Sequence, residues 1–139
     1  MVLSGRGRRQ KGKRGERKLA TALREAFPSF AQDIRRGWQS RQGDDDPDVL
    51  GLPGFWLECK TGKMPNPRAA LGQATLDAQG RAIPMAVIQD DRRPPFVALS
   101  LRDMVTVLQA AYGLIPPLSR DAARGVEVQV EQEESDGEG

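Results

Sequence analysis

Apolar positions along the chain change period from one stretch to the next. Leu19, Ala20, Ala22, Leu23, Ala26 and Phe27 recur at the spacing of one helical face, and Pro28 closes that pattern. A helix is therefore expected over 15–27. Residues 1–13, MVLSGRGRRQKGK, have no apolar period and read as a basic, disordered arm. Residues 30–36, FAQDIRR, alternate loosely and predict a strand, and 37–47, GWQSRQGDDDP, predict a polar loop. Two short apolar runs, DVLGL and FWLECK, flank a Pro-Gly turn and read as a β-hairpin. MPNP interrupts the chain before a helix of small residues over about 68–80. The run PMAVIQD, 84–90, is continuously apolar at its centre, as a strand covered on both faces would be. DRRPP is a turn, PFVALSL a further strand, and LRDMVTVLQAAY, 101–112, a helix with Ser100 as its N-cap.

The resulting order is α-β-β-β-α-β-β-α, without internal repeats. Strands alternating with helices predict a central mixed β-sheet flanked by helices, an α/β or α+β sandwich. With 139 residues the chain is long enough for one core. That core is expected within a domain over 14–118, between the arm and a polar, acidic, largely disordered tail over 119–139.

Composition narrows the chemistry. The chain has no histidine, which excludes His-ligated zinc hydrolases and deaminases, Ser-His-Asp triads and histidine bases. The single cysteine, Cys59, excludes an internal disulfide and a multi-cysteine zinc site. Hydrolysis would have to run on carboxylates, lysine and a hard cation. No apolar run approaches the roughly 18 residues of a membrane span. The basic N-terminus has no apolar stretch of the signal-peptide kind, so a cytoplasmic protein without membrane partners is expected. Net charge is only +2, but residues 1–41 hold twelve Lys/Arg against three acids, while 127–139 hold six acids and no base. A basic head of this kind is the footprint of a polyanionic partner.

The hairpin carries the candidate site. A three-residue loop, Leu52-Pro53-Gly54, with glycine at its left-handed position, pairs 51 with 55 and 48 with 58. Asp48 and Glu58 would then face each other with Cβ atoms about 5 Å apart. Two carboxylates so placed repel unless a cation with oxygen ligands lies between them. Lys60, two residues beyond Glu58, falls on the same face, while Cys59 points to the other. Glu16 lies on the apolar stripe of the first helix with Leu19, Ala20 and Leu23, a place for a carboxylate that serves a site. The alternative is a first-turn acid favoured by the helix dipole. Asp46, in the run Asp44-Asp45-Asp46, competes with Asp48 for the role, although Asp48 alone opens the apolar strand. Trp38 and Trp56 read as packing residues. GRGRR is no phosphate-binding loop, since no strand precedes it and no helix is expected to begin there.

Glu16, then Pro47-Asp48, then Glu58-Cys59-Lys60 resembles the E…PD…ExK signature of the PD-(D/E)xK nuclease superfamily. Spacing and order are similar to those of archaeal-type Holliday junction resolvases and their phage-encoded relatives, over roughly residues 14–108. The resemblance implies a restriction-endonuclease-like core and metal-dependent hydrolysis of DNA phosphodiesters with Mg²⁺ or Mn²⁺. It implies that Asp48, Glu58 and the Cys59 carbonyl hold the metal, with Glu16 assisting, and that Lys60 orients the attacking water or stabilises developing charge. Arg6, Arg8, Arg9, Lys11, Lys13 and Arg14 of the leader, with Arg35, Arg36, Ser40 and Arg41 of the following loop, are expected on DNA phosphates. Gln73 on the second helix is a possible auxiliary beside the metal. The implied substrate is branched DNA, a four-way junction, cut by a homodimer. A restriction-like or repair nuclease, or a non-catalytic DNA-binding module, would fit the same residues.

Overall fold

A computed structural model describes residues 5–37 and 46–117, the Arg8 side chain excepted. Among them are three helices and five strands in the expected order. Helix α1 spans Gly5–Ala26, strand β1 Arg35–Arg36, β2 Val49–Leu50 and β3 Phe55–Gly62; α2 spans Pro67–Ala78, β4 Ile83–Asp90, β5 Phe96–Ala98 and α3 Leu101–Ala111. The sheet is mixed and runs β1-β2-β3-β4-β5, with every neighbouring pair antiparallel except the parallel β3 and β4. Helix α2 is the crossover between the parallel strands, as such a pair requires.

Consecutive residues of β3 point to opposite faces, and each face has its own helix. Leu57 packs with Val49, Ile34 and Ala20 of α1. Trp56, on the other face, packs with Ala74 and Ala78 of α2, while Ala70 packs with Ala86 and Ile88 of β4. Alanines at four-residue intervals let α2 lie close to the sheet, and the indole of Trp56 fills the space they leave. Asn66 caps α2, its side chain accepting from the N–H groups of Arg68 and Ala69, and Pro67 occupies the first helical position where it needs no N–H partner. Ser100 caps α3 by accepting from the Asp103 N–H at 3.0 Å. None of the described helices is long and apolar enough to cross a membrane.

Two expectations need correction. The aperiodic segment 1–13 is helical from Gly5 onward, so α1 begins ten residues before the expected Gly15. Lys, Arg and Gln are good helix formers, and Lys11 forms an ion pair with Asp91 in the β4–β5 turn. An apolar period does not report this half of the helix because it lies over charged groups. The strand expected over 30–36 shrinks to Arg35–Arg36. Pro28–Phe30 form a turn of 3-10 helix, and the Phe30 carbonyl accepts from both Asp33 and Ile34 N–H groups, which removes those residues from the ladder.

Gly15 sets how closely α1 approaches the sheet. It is buried, and a Cβ there would collide with the Thr61 methyl on β3 and the Gln89 side-chain oxygen on β4. A Cβ on Gly12, in the same helix, would meet nothing within 4 Å. Alanine improves helix propensity by up to about 1 kcal/mol at either position, but overpacking at residue 15 costs about 1–3 kcal/mol. Chemical denaturation should therefore find Gly12→Ala at or above the wild-type stability and Gly15→Ala below it. Equal gains in both variants would show that α1 does not seat on Thr61.

Candidate functional site

The site begins where the hairpin ladder runs out. Val49 pairs with Leu57 as the last β2–β3 rung, and just beyond it the Asp48 side chain lies against Glu58. The turn has the expected left-handed glycine, with Gly54 at φ 82°. Because β2 is only Val49–Leu50, the second half of β3 has no β2 residue beside it. Asp48 supplies what is missing. Its N–H donates to the Leu57 carbonyl at 2.9 Å, and its Oδ2 accepts the Cys59 N–H at 2.7 Å. The N–H and carbonyl of one strand residue face the same edge, so the Cys59 carbonyl also looks toward Asp48.

Asp48 and Glu58 are each 6% exposed. The Trp56 indole N–H donates to Glu58 Oε1 at 3.3 Å, fixing the carboxyl from behind, and the Arg81 guanidinium lies 5.7 Å from the Trp56 ring centre. Burial, and then the charge of Asp48, push the Glu58 carboxyl up from 4.5 to about 8, against the smaller opposing pull of the Trp56 N–H and of Lys60. Lys60 is exposed, on the Glu58 side of the strand. Burial, with Asp48, Glu16 and Glu58 nearby, raises the Cys59 thiol to about 12, which makes it an inert buried thiol.

These groups open into one cleft of about 630 Å³, which α1 borders with Arg9, Gly12, Lys13 and Glu16, and α2 with Gln73 and Asp77. Asp46, Asp48, Glu58, Cys59, Lys60 and Thr61 complete it. Thus all the sequence-predicted catalytic and metal candidates, with the auxiliary Gln73, line a single space. Glu16 is tied there to Arg36, whose Nε donates to its Oε2 at 2.8 Å. The Gln73 amide donates to both oxygens of Asp77, at 3.0 and 3.1 Å. Among the described residues no three His, Cys, Asp or Glu side chains form a ready-made metal cluster.

The chain matches no protein-family model, no curated protein and no solved structure. The chemistry of the site follows from its own atoms.

The cleft's donors are hard oxygens from Asp48, Glu58 and the Cys59 carbonyl, which suit Mg²⁺ or Mn²⁺ rather than a soft metal. A carboxyl whose charged form is disfavoured by burial and by a neighbouring carboxylate is also a fit for a divalent cation, whose charge would offset both. Glu16 is within the same cleft but engaged by Arg36, so it would serve such a cation only on exchange of that ion pair.

The residues expected on DNA are dispersed. Arg9 and Lys13 face the cleft, Arg6 is exposed on α1, and Lys11 and Arg14 lie along a second groove. Arg35 is exposed on β1 and lines a separate hollow with Asp33 and Asp46. The Arg8 side chain, Trp38, Ser40 and Arg41 lie outside the described residues, as do Asp44, Asp45 and the tail from 118. Sequence reasoning missed three residues of the site. Trp56 behaves as the packing residue expected, at 1% exposure, but also orients Glu58. Its alternation with Glu58 on one strand face was the available signal. Asp77 follows Gln73 by one helical turn, and Thr61 follows Lys60 at the mouth of the cleft.

The raised Glu58 carboxyl has a stability signature in metal-free protein. The native state keeps a proton that the unfolded chain loses near 4.5, so this contribution is complete below about pH 4.5 and disappears as pH rises through about 8. Denaturation in chelator should show wild-type stability falling relative to Glu58→Gln across that interval. Asp48→Asn, which removes the neighbouring charge, should flatten the fall and melt above wild type at pH 8. A wild type that gains on Glu58→Gln as pH rises would reverse the assignment.

Proposed function

We propose that the protein is a metal-dependent DNA endonuclease of the PD-(D/E)xK type, built on a restriction-endonuclease-like core. The observation that carries this reading is that Asp48, just beyond the Val49↔Leu57 pair, lies against Glu58, with Lys60 two residues further along β3. The five-stranded mixed sheet with helices on both faces is compatible with that core.

A divalent cation bound by Asp48, Glu58 and the Cys59 carbonyl would neutralise a phosphodiester and make water acidic enough to attack it. The protein's own part is positional. Asp48 is held by the Cys59 N–H and Glu58 by the Trp56 indole, so both carboxylates are fixed before substrate arrives. Lys60 stands where its ammonium would orient the attacking water or stabilise charge developing on the phosphate. Arg9 and Lys13, on the α1 wall of the cleft, would receive backbone phosphates without reading sequence.

Holliday junctions are the substrate favoured within this class, cut by a homodimer. Resolving a junction needs two incisions, and two-fold symmetry supplies two identical centres. Helix α3 favours a partner of this kind. It buries none of its own side chains and exposes Leu101 and Tyr112 at 74% and 77%, with Met104, Val105 and Leu108 also exposed. One observation favours a different reading, a DNA-binding module without catalysis: Glu16 is paired with Arg36 rather than with a cation-binding partner.

Glu58→Gln, Asp48→Asn and Lys60→Ala should each remove cleavage in Mg²⁺ while leaving folding and DNA binding intact, with Lys60→Ala costing at least about 10²-fold in kcat. A Glu58→Gln protein that nicks DNA at the wild-type rate ends the nuclease assignment to this site. Failure of the wild type to nick any DNA form in Mg²⁺ or Mn²⁺ favours the binding module. Sedimentation at micromolar concentration should give a dimer, and competition assays should favour a four-way junction over linear duplex of matched length. A monomer, or equal affinity for the two, points instead to a repair-type nuclease.

A further inference from the structure

The N-terminal half of α1 has a second basic side. Arg9, Lys13 and Glu16, at helical intervals of four and three, face the cleft described above. Lys11, Arg14 and Lys18, at intervals of three and four, lie on the other flank of the same helix. There they meet Arg92 and Arg93 of the β4–β5 turn across a groove of about 290 Å³. Gly15 is the floor between the two flanks, seated on Thr61, and Thr61 lines both spaces.

The groove's acids are already engaged. Asp91 pairs with Lys11, and Asp90 accepts the Met64 N–H at 3.0 Å and lies 3.8 Å from Arg93. Among the described residues, Arg14, Lys18 and Arg92 form no salt bridge. Arg92 is held in the left-handed region at φ 61°, an uncommon conformation for a side chain other than Asn, Asp or Gly. The turn is stitched in place by the Asp91 N–H donating to the Gly62 carbonyl at 2.9 Å, which joins it to the end of β3. The helix flank and the turn therefore present these cations to one groove, beside but not inside the catalytic cleft.

We propose that this groove is a second phosphate-backbone site, holding a DNA strand on the far side of α1 from the strand to be cut. The N-terminal half of α1 would then stand between two backbones, with Arg9 and Lys13 on one and Lys18, Arg92 and Arg93 on the other. The inference rests on DNA being the ligand of the neighbouring cleft, as proposed above, but not on cleavage. Both strands of one duplex, or strands from two arms of a branch, present the same chemistry to the groove.

Binding isotherms over a salt series test it, using full-length protein with a fluorescent linear duplex and a fluorescent four-way junction in chelator. The double variant Arg92→Asn/Arg93→Gln keeps a residue suited to positive φ at 92. Each cation withdrawn from a phosphate lowers the slope of log affinity against log salt by about 0.9, so the double variant should lower it by about 1.8. Lys18→Glu, on the opposite wall, should weaken binding in the same sense, while Arg102→Ala on α3 should not. A weakening on both DNAs assigns the groove to the second strand of one duplex, and a weakening confined to the junction assigns it to another arm. Wild-type slopes on both DNAs for the double variant and for Lys18→Glu overturn the proposal, even if the wild type cleaves DNA in Mg²⁺. Conversely, the expected weakening in a protein that cleaves nothing leaves the groove standing and removes the nuclease reading alone.

Discussion

The hydrogen bond between the Asp48 carboxylate and the Cys59 N–H governs the functional end of the molecule. Strand β2 contributes only Val49 and Leu50, and β3 runs on for several residues past Leu57 with no strand of the described residues on that side. Here a side chain closes the first rung, and doing so brings a buried negative charge against Glu58. The site is therefore a product of where the hairpin ends. With one more backbone rung on β2, the Cys59 N–H would not need the Asp48 side chain. At this end of β3 Glu16 from one layer and Gln73 from the other line the same cleft, although their helices lie on opposite faces of the sheet.

The two helices contribute differently. Helix α2 is seated by three alanines and a cap, and offers its Gln73-Asp77 pair as a fixed wall. Helix α1 is seated in its second half by apolar packing, and in its first half by Gly15 on Thr61 and by Lys11 on Asp91. Its first half is thus held largely by a close approach and an ion pair, which at the surface is worth about 1 kcal/mol or less. High salt would loosen the same cations that are proposed to meet DNA.

Much of the sheet could be read from residue order because its signals are local and mutually supporting. Pro53-Gly54 fixes the turn, the turn fixes the register, and the register brings Asp48 against Glu58. The alanine period and Asn66-Pro67 likewise mark α2. What stayed hidden depends on long-range partners. No apolar period marks GRGRRQKGK as a helix, since Lys11 in this half pairs with Asp91 in place of apolar packing. Arg36 reads as a phosphate ligand until Glu16, twenty residues earlier, is found beside it. FAQDIRR has strand-like alternation, but the carbonyl of Phe30 bends the chain first. The meeting of Arg92 and Arg93 with Lys18 across one groove joins segments that no local pattern connects.

The lone sulfur has a practical consequence. Cys59 lies behind the carbonyl that faces the cleft, and burial with surrounding negative charge suppresses its thiolate. At 8% exposure it offers a thiol reagent little access while β3 is closed, so alkylation becomes a clock for opening of this strand. The wild-type sequence carries that clock unaltered, one residue from Glu58 and one from Lys60. A cation that clamps the two carboxylates together would slow it, and the slowing would register occupancy without any label attached to the ligand.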